Sequence, residues 1–229
     1  MAKLYVDYQK GFLDIAGALL DFDGTLVDSI GAWQGVEDYL VSLCHAEVSE
    51  EDRALLTALT IPEIGHFFHE TYGLGRDSAF VVSIIDEYMV DYYATRAALL
   101  PGVEVFLEAA ARSGVAMSVV SSSPQRYLQA GARNIGIADY FKDIISVDDL
   151  TTTKRDPLIF THAQVLLGTP KDTTWGFEDS LYALSSLTQG GFKTVGIFDP
   201  HEGKTLEYWR QVTSVSVESF TQLGIIKAS

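Results

Sequence analysis

Cysteine is almost absent from this 229-residue chain: Cys44 stands alone. One thiol cannot close an internal disulfide, and no metal-ligand spacing surrounds it. A reducing cytoplasmic setting is therefore expected, with Cys44 as a small apolar helix residue. Positive charge is scarce too. Sixteen Lys and Arg face 31 Asp and Glu, a formal net charge of -15. Such a balance repels the nucleic-acid backbone and anionic membrane surfaces, so neither is expected as a partner. Small anionic substrates stay open, because a bound cation reverses the local field. Long apolar runs are missing: nothing approaches the ~18 uninterrupted residues of a membrane span. Asp7 and Asp14 interrupt any apolar core of a secretory leader. Repeats, low-complexity tracts and Pro/Ser-rich linkers are absent as well.

What is present is a series of short apolar runs that stop at polar residues. Ile15–Leu20 stops at Asp21, Val115–Val120 at Ser121, Ile144–Val147 at Asp148 and Thr173–Phe177 at Glu178. Such runs, separated by helical patterns, predict buried parallel strands of a doubly wound α/β sheet, whose functional edge lies beyond the carboxyl ends of the strands. A helix near 180–189, a strand near Lys193–Phe198 and a weaker strand near Ser214–Val217 continue the scheme. Residues 31–98 differ in texture. They lack strand-like alternation and read as amphipathic helices, with Trp33, Val36, Tyr39, Leu40 and Leu43 on one stripe. The expected organisation is a Rossmann-like core (1–30 and 99–229) with an all-α cap (31–98) inserted after the first strand. The first 13 residues fit no part of this scheme.

Four polar clusters carry the chemistry. Asp21-Phe22-Asp23-Gly24-Thr25 follows the first strand, Ser121-Ser122-Ser123-Pro124 the second, and Glu178-Asp179-Ser180 the fourth; Lys154 lies three residues before Pro157. Ser123 suits a helix N-cap and Pro124 the first helical position, which would aim free N–H groups at an anion. Neighbouring carboxylates at Glu178-Asp179 repel unless a cation neutralises them. In this order the clusters resemble the signatures of the haloacid dehalogenase superfamily, in particular its phosphoglycolate phosphatase and beta-phosphoglucomutase-like members. The third departs from the pattern Lys-Pro-x-Pro-Asp: the chain reads Lys154-Arg155-Asp156-Pro157-Leu158, so Arg155 competes for the lysine's role.

The resemblance implies a magnesium-dependent phosphatase. Asp21 would be the nucleophile, forming an aspartyl phosphate, and Asp23 the general acid and later base. Ser121, with Ser122 and Lys154, would bind the transferring phosphoryl group. Mg2+ would be held by the carboxylates of Asp21 and Asp179 and the backbone carbonyl of Asp23, with Glu178 as a supporting partner or an alternative ligand. The implied substrate is a small phosphorylated metabolite, and the implied state a monomer or weak homodimer. Dehalogenases of the superfamily lack an acid at the position of Asp23. Residues 31–100 contain no lysine for Schiff-base chemistry. A mutase of the beta-phosphoglucomutase type carries a histidine shortly after the first motif, where this chain has Asp28 to Trp33, and ranks second. A non-catalytic binding protein would have no use for both a nucleophile and an acid. In the cap, Ile64, Phe67, Phe68 and Tyr72 follow core spacing within the segment 57–72, while His66 and His69 read as surface histidines.

Overall fold

The computed structural model describes residues 4–8, 11–56, 59–147, 150 and 152–226. Asp148, where the third apolar run ends, and Thr57, at the start of the cap segment, lie outside them. The chain divides into two compact units, one of residues 1–28 with 97–229 and one of residues 29–96.

The larger unit is built on a six-stranded parallel sheet. Its strands are β3 (Gly17–Leu20), β4 (Ala116–Ser121), β5 (Asp143–Ser146), β6 (Thr174–Glu178), β7 (Lys193–Ile197) and β8 (Val215–Val217), in the order β5-β4-β3-β6-β7-β8. The order reverses between β3 and β6, the switch point at which doubly wound sheets open a crevice. β3 and β6 are buried along their whole length, because helices cover both faces and no solvent side exists to select alternation. Consecutive residues serve opposite faces. Leu19 and Val120 pack with Ile159, Phe160 and Ala163 of α7 (Leu158–Leu167) and with Leu187 of α8 (Leu181–Gln189). Phe177 meets Phe106 of α5 (Val103–Arg112) and Phe220, with ring centroids 5.0 and 5.8 Å away. Two further helices, α6 (Gln125–Asn134) and α9 (Leu206–Val212), pack on β5 and β8.

Of the first 13 residues, those described, 4–8 and 11–13, do have a place. β1 (Leu4–Tyr8) and β2 (Gly11–Ile15) form an antiparallel pair, and β9 (Gly224–Ile226) adds to the other side of β1 as a second sheet. The apolar run Ile15–Leu20 is thus not one strand. Ile15 closes this antiparallel sheet, and Gly17 opens the parallel one. Trp175 ties the two together, its indole N–H donating to the Asp14 carbonyl at 3.0 Å.

The smaller unit is all helical: α1 (Ile30–Leu43), α2 (Glu50–Leu56), α3 (Ile61–Tyr72) and α4 (Ser78–Thr95). α3 and α4 approach closely at Gly65, where a Cβ would sit 2.5 Å from Val82 Cγ2 and 2.9 Å from the Ser78 carbonyl. Phe68 is fully buried, whereas Ile64, Phe67 and Tyr72 are half-buried. Tyr39, expected on the buried stripe of α1, is 43% exposed and stacks on Tyr88 of α4 at 5.5 Å. His69 is not a surface histidine; it is half-buried, with Nδ1 3.1 Å from the Leu74 carbonyl. No helix among the described residues is long and apolar enough to cross a membrane.

Phe106 is 0% exposed and touches both Phe177 and Phe220, so truncation leaves a cavity that its stiff aromatic neighbours cannot fill. Phe106→Ala is expected to cost about 3–5 kcal/mol, read as a lower urea midpoint at unchanged slope.

Candidate active site

Sheet register brings the polar clusters together. Leu20 pairs with Phe177, so Asp21 and Glu178 leave adjacent strands side by side, and the Asp21 N–H continues the ladder to the Phe177 carbonyl at 2.9 Å. Ser121 pairs with Ser146 one strand further out.

After Asp21 the backbone turns sharply. The Phe22 carbonyl accepts from the N–H groups of Leu26 (3.0 Å) and Val27 (2.8 Å), and the Gly24 N–H donates to the Val27 carbonyl at 2.9 Å. Gly24 has φ 75°, and a Cβ there would lie 1.9 Å from Asp179 Oδ2. The turn therefore needs glycine twice over, for its left-handed backbone and for room beside a carboxylate. Thr25 is buried and its hydroxyl donates to Asp179 Oδ1 at 3.4 Å. The motif thus places Asp21 and also props Asp179.

The serine loop differs from its sequence reading. α6 begins at Gln125 with Pro124 in the N-cap position, so Ser123 is not the cap. Instead the Ser123 hydroxyl donates to Asp23 Oδ2 at 2.5 Å, and the Ser121 hydroxyl lies 3.5 Å from the same oxygen. Ser121 is buried at the last position of β4, whereas Ser122 is exposed.

Lys154 and Arg155 lie in different surroundings. Lys154 is 3% exposed, and its ammonium donates to both Asp21 Oδ1 and Glu178 Oε1. Arg155 is exposed, with its guanidinium 4.5 Å above the Tyr182 ring. A turn with the Asp156 N–H on the Thr153 carbonyl (3.0 Å) sends the two side chains to different places. Glu178 is heavily engaged. Its Oε2 accepts from the N–H groups of Asp179 (2.8 Å) and Ser180 (3.0 Å) and from the Ser180 hydroxyl (3.1 Å). Ser180 precedes α8, but its hydroxyl is spent on Glu178 rather than on the helix.

Oxygens of Asp21, Glu178 and Asp179 lie within 4.8 Å of one another. Three carboxylates against the one ammonium of Lys154 leave two negative charges in a buried space, which is costly without a counter-ion. Burial, then Glu178, push the Asp21 carboxyl up to about 7 against the opposing pull of Lys154. Burial and Glu178 likewise hold Asp179 well above the usual carboxylate range. Burial, the largest single influence on Lys154, depresses its ammonium, but Asp21 and Glu178 outweigh it and the net shift is upward. An all-oxygen, anionic donor set of this kind fits a hard divalent cation.

Comparison with known proteins agrees with this geometry. The sequence profile of haloacid dehalogenase-like hydrolases matches residues 18–197, and the chain belongs to that family. It is 32% identical to the YhcW protein of Bacillus subtilis over 95 residues, 42% of this chain and 43% of that one, so the match spans less than half of the relative. It is 26% identical to phosphoglycolate phosphatase of Pseudomonas fluorescens over 187 residues, 78% of this chain and 68% of the relative. Among solved structures, CbbY of Rhodobacter sphaeroides in complex with xylulose-(1,5)bisphosphate superposes with a TM-score of 0.73 at 21% identity, over 92% of this chain and 99% of that one. At that identity the likeness speaks for the fold alone.

Gly24 offers a controlled test. Gly24→Ala and Gly136→Ala place alanine at φ 75° and 73°, and each is expected to lose about 1–2 kcal/mol to backbone strain. Only the first pushes on Asp179, since nothing lies within 4 Å of a Cβ at Gly136. In thermal-shift titrations with magnesium, Gly136→Ala is expected to keep the wild-type stabilisation and Gly24→Ala to lose most of it.

Proposed function

We propose that this protein is a magnesium-dependent phosphatase that hydrolyses a small phosphorylated metabolite through an aspartyl phosphate on Asp21. The observation that carries the reading is the buried Asp21 carboxylate at a strand end, held by Lys154 inside a carboxylate cluster that calls for a cation. Family membership supports hydrolysis, and the phosphoglycolate phosphatase relatives support a small phosphate monoester as substrate. A cytoplasmic setting and a cap role for the helical unit 29–96 are part of the proposal.

In this mechanism an Asp21 oxygen attacks phosphorus and the ester P–O bond breaks. Asp23 gives its proton to the departing oxygen. A water then passes a proton to Asp23 while its oxygen bonds to phosphorus, the bond to Asp21 breaks, and inorganic phosphate leaves. The Ser121 hydroxyl and the Lys154 ammonium face the charge on the phosphoryl oxygens, and the exposed Ser122 contributes its backbone rather than its hydroxyl. Magnesium, when bound to Asp21, Asp179 and the Asp23 carbonyl, supplies positive charge against the phosphoryl group. Glu178, saturated by Lys154 and by its own loop, is assigned the supporting role: it holds Lys154 and orients Asp179.

Asp21→Asn should keep the fold and lose more than a hundredfold in kcat, about 2.7 kcal/mol of barrier, in a released-phosphate assay against phosphorylated metabolites. A smaller loss would refute covalent catalysis. Excess chelator should abolish turnover, and Asp179→Ala should raise the magnesium concentration needed for half-activity more than Glu178→Ala does. With beta-glucose 1-phosphate, glucose 6-phosphate forming faster than inorganic phosphate would instead identify a mutase.

A further inference from the structure

Ser123 is a buried residue that neither the helix nor the phosphatase mechanism accounts for. Each of its polar atoms is engaged. Its N–H donates to Ser121 Oγ at 3.1 Å, and its carbonyl accepts from the hydroxyl of Ser146, on neighbouring β5, at 2.8 Å. Its own hydroxyl donates to Asp23 Oδ2 at 2.5 Å. With backbone fixed on both sides and the side chain 8% exposed, the hydroxyl has little rotational freedom. Filling the space would need no more than alanine. The oxygen is spent on a charge-assisted bond to one carboxylate, and such bonds are short and roughly twice as strong as neutral ones.

Ser121 cannot do the same work during turnover. A serine hydroxyl has one proton to donate. At 3.5 Å from Asp23 Oδ2 that of Ser121 is at the limit of hydrogen bonding, and a phosphoryl oxygen would claim it. Asp23 is then held from the serine loop by Ser123. We propose that Ser123 is a positioning residue for Asp23: anchored to β5 through Ser146, it fixes the direction from which Asp23 delivers its proton to the departing oxygen. This rests on the phosphatase reading and on the acid–base role of Asp23 within it. The serine loop thereby has divided duties, Ser121 toward phosphate and Ser123 toward the acid.

The test compares kcat/KM for two esters with magnesium present. p-Nitrophenyl phosphate expels a stable phenolate that hardly needs protonation, whereas an alkyl phosphate, the one the wild type uses best, needs the proton of Asp23. Turnover of neither ester by the wild type overturns the phosphatase reading itself, before any variant is made. Given turnover, Ser123→Ala should lower the ratio of kcat/KM, alkyl over nitrophenyl, by about tenfold, a fraction of the roughly 10²–10⁴-fold that general-acid catalysis supplies. Ser123→Thr, which keeps the hydroxyl, should restore most of it. Ser123→Cys, similar in volume with a weaker donor, should fall between and guards against a folding defect in the alanine variant. In an Asp23→Asn background Ser123→Ala should change neither constant further, since a residue acting through another loses its effect when that partner is gone. Equal losses on both esters, or an undiminished loss in the Asp23→Asn background, would overturn the assignment and leave Ser123 as packing.

Discussion

Everything in the catalytic unit is arranged around one buried ammonium, that of Lys154, shared by Asp21 and Glu178. Two carboxylates leaving neighbouring strands cannot both stay ionised in a dry space unless positive charge stands between them. Lysine suits the place better than arginine. It brings a compact charge on an apolar stem and is buried here, whereas Arg155, with a broad planar head, is exposed and rests over the Tyr182 ring. The ammonium satisfies only part of the negative charge, and the remainder, with Asp179 added, gives a carboxylate cluster that could hold a cation. In the proposed mechanism that lysine lies beside both the nucleophile and the metal ligands.

The sheet supplies the address. Parallel strands end at the same edge, and the strand order reverses between β3 and β6, where Asp21 and Glu178 emerge side by side. What the sheet cannot do is turn Asp179 toward Asp21, since adjacent residues on a strand point to opposite sides. The chain solves this off the sheet. Glu178 curls back to take the N–H groups of Asp179 and Ser180, and the glycine turn at 24 leaves a gap that the Asp179 carboxylate fills.

The strand ends and the four clusters were legible because buried parallel strands impose apolar runs, and a run that stops at a carboxylate or serine marks both an edge and a site. Where sequence reasoning fell short, the missing information was non-local. Leu4 and Val6 alternate as a strand should, but the third strand of their sheet lies over 200 residues away at Gly224–Ile226, and no local pattern announces that pairing. Ile15–Leu20 reads as one run although two sheets share it. Ser123 before Pro124 has the chemistry of a cap, and only the position of Asp23, a hundred residues earlier, diverts its hydroxyl. Local propensity could likewise not separate Lys154 from Arg155. The missing proline and aspartate of the usual pattern blur the motif, and burial between two carboxylates decides.

Four carboxylates stand at this edge, and nothing in their chemistry as free side chains distinguishes them. What separates them is which donors already occupy their lone pairs. Glu178 is surrounded by Lys154, two backbone N–H groups and a hydroxyl, so its carboxylate oxygens are already occupied. Asp179 has a long contact from the Thr25 hydroxyl at 3.4 Å and is desolvated, which favours a cation as its partner. Asp21 has the Lys154 ammonium on one oxygen, and burial, then Glu178, raise its carboxyl to about 7. Asp23 lies less buried than Asp21 and accepts from the Ser123 hydroxyl at 2.5 Å. In the proposed mechanism Asp23 changes protonation state in each cycle and Asp21 attacks as an anion, so a hydroxyl neighbour suits the first and an ammonium the second.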